Sequence, residues 1–154
     1  MRTHKLARLL TSAAVVLGVG VVAPVVTAPV ASAGGYGCTG GLVDSYGINA
    51  DHGVHAGKKI ADVYTYWDGS QNCQVVVKRG PLAGISTRMD LTTYAMTTSR
   101  TIKDWDEDPG YFSSYAGPNW VNGAGLCVAE EVNMWDQNGT LAYQGGSYRL
   151  HNCG

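Results

Sequence analysis

The chain has 154 residues, of which 15% are charged and 45% hydrophobic, and a formal net charge of -1. Arg2, Lys5 and Arg8 are three of its 11 basic residues, and the first 33 positions hold none of its 12 acidic ones, so residues 34–154 carry 8 basic against 12 acidic side chains, a net of -4. That balance, with Lys58-Lys59 and Lys78-Arg79 the only adjacent basic pairs, excludes the clustered cations that neutralise nucleic-acid phosphates, and the remaining length suits one domain rather than two.

Taken from its start, the sequence reads first as a leader. Three cations precede Leu9 to Val30, which is nearly all apolar, and Ala31-Ser32-Ala33 supplies a small-x-small cleavage site, the pattern of a secretory signal peptide cut after Ala33. Pro24, Pro29 and many small side chains argue against a retained membrane anchor. Position 34 is Gly and Arg2 is not adjacent to Arg8, so neither a lipidated amino terminus nor the twin-arginine route is indicated. Residues 34–154 are expected to form a single exported domain, free of the membrane once the leader is removed.

Cys38, Cys73, Cys127 and Cys153 all follow the leader. An even number of cysteines in a chain bound for an oxidising compartment predicts disulfides. Three pairings are possible; Cys38 with Cys73 and Cys127 with Cys153 is favoured, because nearest pairs in sequence often flank locally paired strands. There is no C-x-x-C and no His at zinc-finger spacing, so zinc held by these thiols is disfavoured.

The exported part contains no long helical stripe. Gly, Asn, Asp and Ser punctuate it every 8 to 12 residues, the rhythm of short strands and turns. Lys59 to Trp67, Cys73 to Arg79, Arg88 to Thr97 and Gly125 to Val132 are rich in Val, Tyr, Thr and Trp, residues suited to a pleated, half-buried surface. Asp68 to Asn72 is expected to join the first two runs as a hairpin with a five-residue loop. Gly110 to Tyr115, Asn119 to Asn122 and Gly146 to Leu150 read as shorter strands. The fold class is all-β, a small antiparallel sandwich or barrel of about seven to nine strands with two disulfides.

Candidate chemistry is sparse. Asp104, Asp106 and Asp108 alternate as in a calcium loop, but Pro109 stands where an EF-hand needs Gly and Tyr115 where it needs Glu. The stretch reads instead as a solvated acidic turn with Pro109-Gly110 reversing the chain, and no metal or other cofactor is expected. Asp51, His52 and His55 could face one metal in a helix, yet Gly47, Asn49 and Gly53 make the segment a loop. There is no G-x-S-x-G elbow, and His151 has no partner marked by spacing. A hydrolase would need a cleft where two carboxylates, or a His and a hydroxyl, converge on one substrate atom. Trp67, Trp105, Trp120 and Trp135 with nine tyrosines either fill a core short of Phe or form a row that holds sugar rings. Arg79 to Ile85 is the candidate loop for a protease inhibitor, because a pre-ordered loop loses little entropy on binding.

Asp108-Pro-Gly110-Tyr-Phe-Ser-Ser-Tyr115-Ala-Gly-Pro118-Asn-Trp-Val, then Gly125-Leu-Cys127-Val and the closing His151-Asn-Cys153, resemble the spore-associated protein A family, small secreted four-cysteine proteins of sporulating filamentous bacteria. Leu42-Val43-Asp44-Ser45 after Cys38, Val63-Tyr64-Thr65-Tyr66 and Asn72-Cys73-Gln74-Val75-Val76 agree in outline, so the resemblance covers most of residues 34–154. It implies an exported protein found with the spore surface and carries over no catalytic residue. The expectation is therefore a secreted structural or binding protein of the spore or cell envelope, not an enzyme. A secreted protease inhibitor and a protein that binds or hydrolyses wall glycans are the alternatives.

Overall fold

A computed structural model describes residues 34–146 and 149–154; the leader and its cleavage site after Ala33 lie outside the described residues. Eight strands run β1 (Gly41–Asn49), β2 (Lys59–Trp67), β3 (Gln71–Lys78), β4 (Thr87–Met96), β5 (Ile102–Phe112), β6 (Tyr115–Asn122), β7 (Cys127–Trp135) and β8 (Leu141–Gly145). They form two antiparallel four-stranded sheets, sheet A in the order β1-β2-β3-β6 and sheet B in the order β5-β4-β7-β8. The all-β sandwich expected from the sequence is what forms. The two disulfides join Cys38 to Cys73 and Cys127 to Cys153.

The period of two explains the layers. Ala61 and Val63 of β2, Val76 of β3, Met89 and Leu91 of β4, and Val132 and Met134 of β7 meet between the sheets, with Ile48, Leu82 and Ala142 completing the core. A second apolar cluster lies on the other face of sheet A. There the Cys38–Cys73 bridge packs with Tyr66, Val75 and Val77, flanked by Tyr64 and Trp120. Tyr36 stacks on Tyr64 at 5.9 Å and leans on Tyr115 at 5.4 Å, so the segment before β1 covers that face.

The expected Gly110 to Tyr115 strand is divided, β5 ending at Phe112 and β6 beginning at Tyr115 and running on through Gly117 and Pro118. Three further features differ from the sequence expectations. The β2–β3 hairpin closes sooner, because Gln71 and Asn72 already pair with β6 and Trp67 respectively. The last described strand is Leu141–Gly145; of the expected Gly146 to Leu150 strand, residues 147 and 148 lie outside the described residues and Gly146, Arg149 and Leu150 are not in a strand, while His151 pairs as an isolated bridge with Val128 and the Cys127–Cys153 bridge holds that segment beside β7. The third difference is the acidic stretch, which is no turn at all. Asp104 through Gly110 lie inside β5, paired along their length with β4. Strands tolerate proline at a sheet edge, and β5 is an edge strand.

The inward Asp side chains of β5 explain how the two sheets join on that flank. Asp108 Oδ2 accepts from Gly117 N at 2.7 Å, Asp106 Oδ2 from Trp120 N at 2.9 Å, and Asp104 Oδ2 from Asn122 N at 2.9 Å. Each carboxylate thus satisfies a backbone donor on the open edge of β6, an edge that would otherwise be free to pair with another chain. Asn119 crosses in the opposite sense, its amide donating to the carbonyls of Leu91 and Asp106, both at 3.0 Å. One end of the sandwich is closed by Lys78, 3% exposed, whose ammonium donates to Ile85 O at 2.8 Å, Phe112 O at 2.6 Å and Thr87 Oγ1 at 2.5 Å. Burial pulls its pKa down to about 8.

Candidate functional site

The outer face of sheet B contrasts with that of sheet A: along its β5 edge Trp105, Glu107, Pro109 and Tyr111 are all exposed, whereas toward β7 the face is half-buried and Ala129 is buried. Strand register sets its side chains in rows. Trp105 of β5 stands opposite Tyr94 of β4 and Ala129 of β7; the next row is Glu107, Thr92 and Glu131; then come Pro109, Asp90, Asn133 and Gln144. Tyr111 stands opposite Arg88, whose guanidinium carbon lies 4.6 Å from the Trp135 ring centroid, a cation–π contact. Asp90 fixes that guanidinium through Nη2 at 2.9 Å and Nε at 3.2 Å. Trp105 is 56% and Tyr111 76% exposed. A cleft of about 380 Å³ opens at the Tyr111 end, bounded by Arg88, Tyr111, Trp135, Asp136 and Gln137.

These aromatics divide by face. Trp120 is packed on the sheet A cluster, Trp67 is half-buried at the end of β2, and Trp135 lies under Arg88. Trp105 and Tyr111 project from the edge strand with a polar field between them.

The second constellation is internal, and sequence reasoning missed its centre. Glu130 is 1% exposed. Its Oε1 accepts from the Tyr46 hydroxyl at 2.6 Å, and its Oε2 accepts from the Gln74 amide and from His151 Nε2, both at 2.8 Å. Burial alone would push this carboxyl up, but the hydrogen bonds from His151, Tyr46 and Gln74 outweigh it and hold Glu130 below its ordinary value. Burial, together with the charge of Glu130, pushes the Tyr46 hydroxyl far above its own ordinary value. His151 Nδ1 lies 3.2 Å from Asp44 Oδ2 without the alignment of a hydrogen bond. The signal was present in β7: Val128, Glu130, Val132 and Met134 share one parity, so a lone acid stands on an otherwise apolar face.

A cleft of about 330 Å³, lined by Asp44, Tyr46, Tyr143 and Arg149 among others, opens beside this cluster. The His151 ring stands between the Asp44 and Glu130 carboxylates, and the Tyr46 hydroxyl is turned to Glu130, not to the imidazole. Two carboxylates, a His and a hydroxyl therefore meet as a network of mutual partners.

The remaining sequence candidates are dispersed. Asp104, Asp106 and Asp108 each serve a different β6 donor, and among the described residues no three His, Cys, Asp or Glu side chains are grouped to hold a metal. His52 turns to Asp51 at 2.5 Å and His55 to Gln137 at 3.1 Å. The Arg79 to Ile85 segment is pinned down: Arg79 binds Asp62 at 2.8 Å and Tyr64 at 2.9 Å, Leu82 is fully buried, and Lys78 holds the Ile85 carbonyl. All four cysteines are bridged. Set against protein-family models, curated proteins and solved structures, the chain matches none.

Proposed function

We propose that this is a secreted protein of the spore or cell envelope that acts by binding a surface, without catalysis. The observation that carries this reading is the contrast between the two outer faces. The amino-terminal segment covers the aromatic cluster on sheet A, whereas Trp105 and Tyr111 stand exposed on sheet B. Exposed aromatics with a polar tip, set in a polar field, are the residues of wet contact surfaces. Two disulfides suit an oxidising location, and no helix among the described residues is long and apolar enough to cross a membrane. The leader-like start and the resemblance to spore-associated protein A proteins support putting that contact outside the cell.

The two alternatives have less support. An inhibitory loop must offer its side chains to a protease, whereas Leu82 is fully buried and the Arg79 guanidinium is bound to Asp62 and Tyr64. For a hydrolase, the polar groups that meet at Glu130 are spent on one another: Tyr46, Gln74 and His151 all donate to its carboxylate, which is 1% exposed. The test is to tag the protein and follow it through growth and sporulation. Co-fractionation with washed spores or cell wall is expected; recovery of all of it free in the medium overturns the reading.

A further inference from the structure

We infer that the outer face of sheet B takes an extended, uncharged β-linked glycan lying along β5; this rests on the envelope-binding reading above and names its partner. Trp105 and Tyr111 are six residues apart on one strand face, about 20 Å at the rise of a strand. Each exposes a flat ring on which the C–H face of a pyranose can stack. Between them, Glu107 of β5 and Thr92 of the neighbouring β4 lie about one strand spacing or less from a chain running along β5, with Asp90 beside them held by Arg88, while Glu131, Asn133 and Gln144 stand farther out on β7 and β8. Carboxylates, hydroxyls and amides are the groups that hydrogen-bond sugar hydroxyls in both directions. The spacing of stacking groups at the ends and hydrogen-bonding groups between them calls for a ligand several sugar rings long that stays straight over that distance. A β-linked chain does so, whereas an α-linked glucan coils.

Charge decides against the other polymers of an envelope. The face carries Asp90, Glu107 and Glu131 against Arg88 and Lys103, and Arg88 is already committed to Asp90 and Trp135. With Asp90 and Arg88 paired, Glu107 and Glu131 outnumber Lys103, and a phosphate-rich or uronic-acid polymer would meet that negative excess, which repels it. Nor does the face resemble a core cut open for a protein partner, since its centre is carboxylates and amides where protein interfaces are depleted in charge.

The experiment uses the mature protein, residues 34–154, its Trp105→Ala and Tyr111→Ala variants and the double variant. All four are checked for equal thermal midpoints, which the exposure of both side chains allows. Cellulose and chitin are the probes, amylose and a polyphosphate the comparators, and washed envelope is run in parallel. Retention on cellulose or chitin is expected, weakened at least tenfold by each single substitution and abolished by the double one, with amylose and polyphosphate left unbound. Three results overturn the assignment: no retention on either β-glycan, retention untouched by the double variant, or tighter binding to polyphosphate. Washed envelope that retains the native chain while the glycans do not sinks the glycan partner and leaves envelope binding standing. Envelope that retains nothing sinks both.

Discussion

Asp106→Ala removes the acceptor that Trp120 N reaches at 2.9 Å in a part-buried corner of the molecule. Hydrogen bonds to charged groups contribute about 1.5–3 kcal/mol, and a buried donor left unpaired costs its full desolvation, so the expected loss is about 2 kcal/mol. Asp108→Ala, which orphans Gly117 N in a similar setting, should cost about the same. Asp104→Ala acts on Asn122 at the exposed end of β6, where water replaces the lost acceptor, and should cost less than about 1 kcal/mol. Urea unfolding of residues 34–154 with both disulfides intact measures the series as shifts in midpoint at constant slope, and a loss of about 2 kcal/mol corresponds to about 8 °C in thermal midpoint for a domain of this size. Asp106→Asn, which keeps an acceptor oxygen, should recover part of the loss. Because the three carboxylates serve backbone donors, calcium should leave the native midpoint unchanged. An Asp106→Ala protein with the native midpoint, or a calcium-dependent rise that the triple Asp→Ala variant lacks, would refute the ladder and restore a cation site.

Further predictions concern the buried charges and the bridges. Folding lowers the Lys78 pKa from 10.5 to about 8, so the unfolded chain binds the proton more tightly between those values. Native stability relative to Lys78→Met should rise by about 3 kcal/mol as pH climbs through that window; chemical denaturation at pH 7 and pH 10 reads it, and a fall would contradict the burial. Glu130 is held below its ordinary value of 4.5, so its stabilisation is present above that pH and is lost as pH falls through the lowered value. The advantage of the native chain over Glu130→Gln should therefore shrink below about pH 4.5 in calorimetry and not grow. The Cys127–Cys153 bridge spans 26 residues; replacing both cysteines with serine should cost about 3.5 kcal/mol in the loop-entropy account, and a non-reducing peptide map should join those two and no other partner.

Where local chemistry and tertiary context agree, the sequence was a sufficient guide. Runs rich in Val, Tyr and Thr located β2, β3 and β4, and the order of the cysteines suggested their pairing. It failed where context overrides local preference. Asp, Pro and Gly are depleted in strands, so Asp104 to Gly110 read as a turn; the edge position of β5 and the donors of β6 are not local properties. Gln71 and Asn72 looked like loop residues, yet Asn72 is fully buried at the start of β3. The exposed row of β5 needed the register of three strands at once before Trp105 and Tyr111 could be set apart from Trp120. Glu130 was the exception, readable from the parity of β7 alone.

The most direct test of the account is to expose washed envelope from the producing strain to equal amounts of the native mature protein and of the variant lacking both the Trp105 and the Tyr111 ring, and to measure what pellets. The native chain should sediment with the envelope and the variant should stay in the supernatant. Equal sedimentation of the two would mean that the outer face of sheet B is not what this protein binds with.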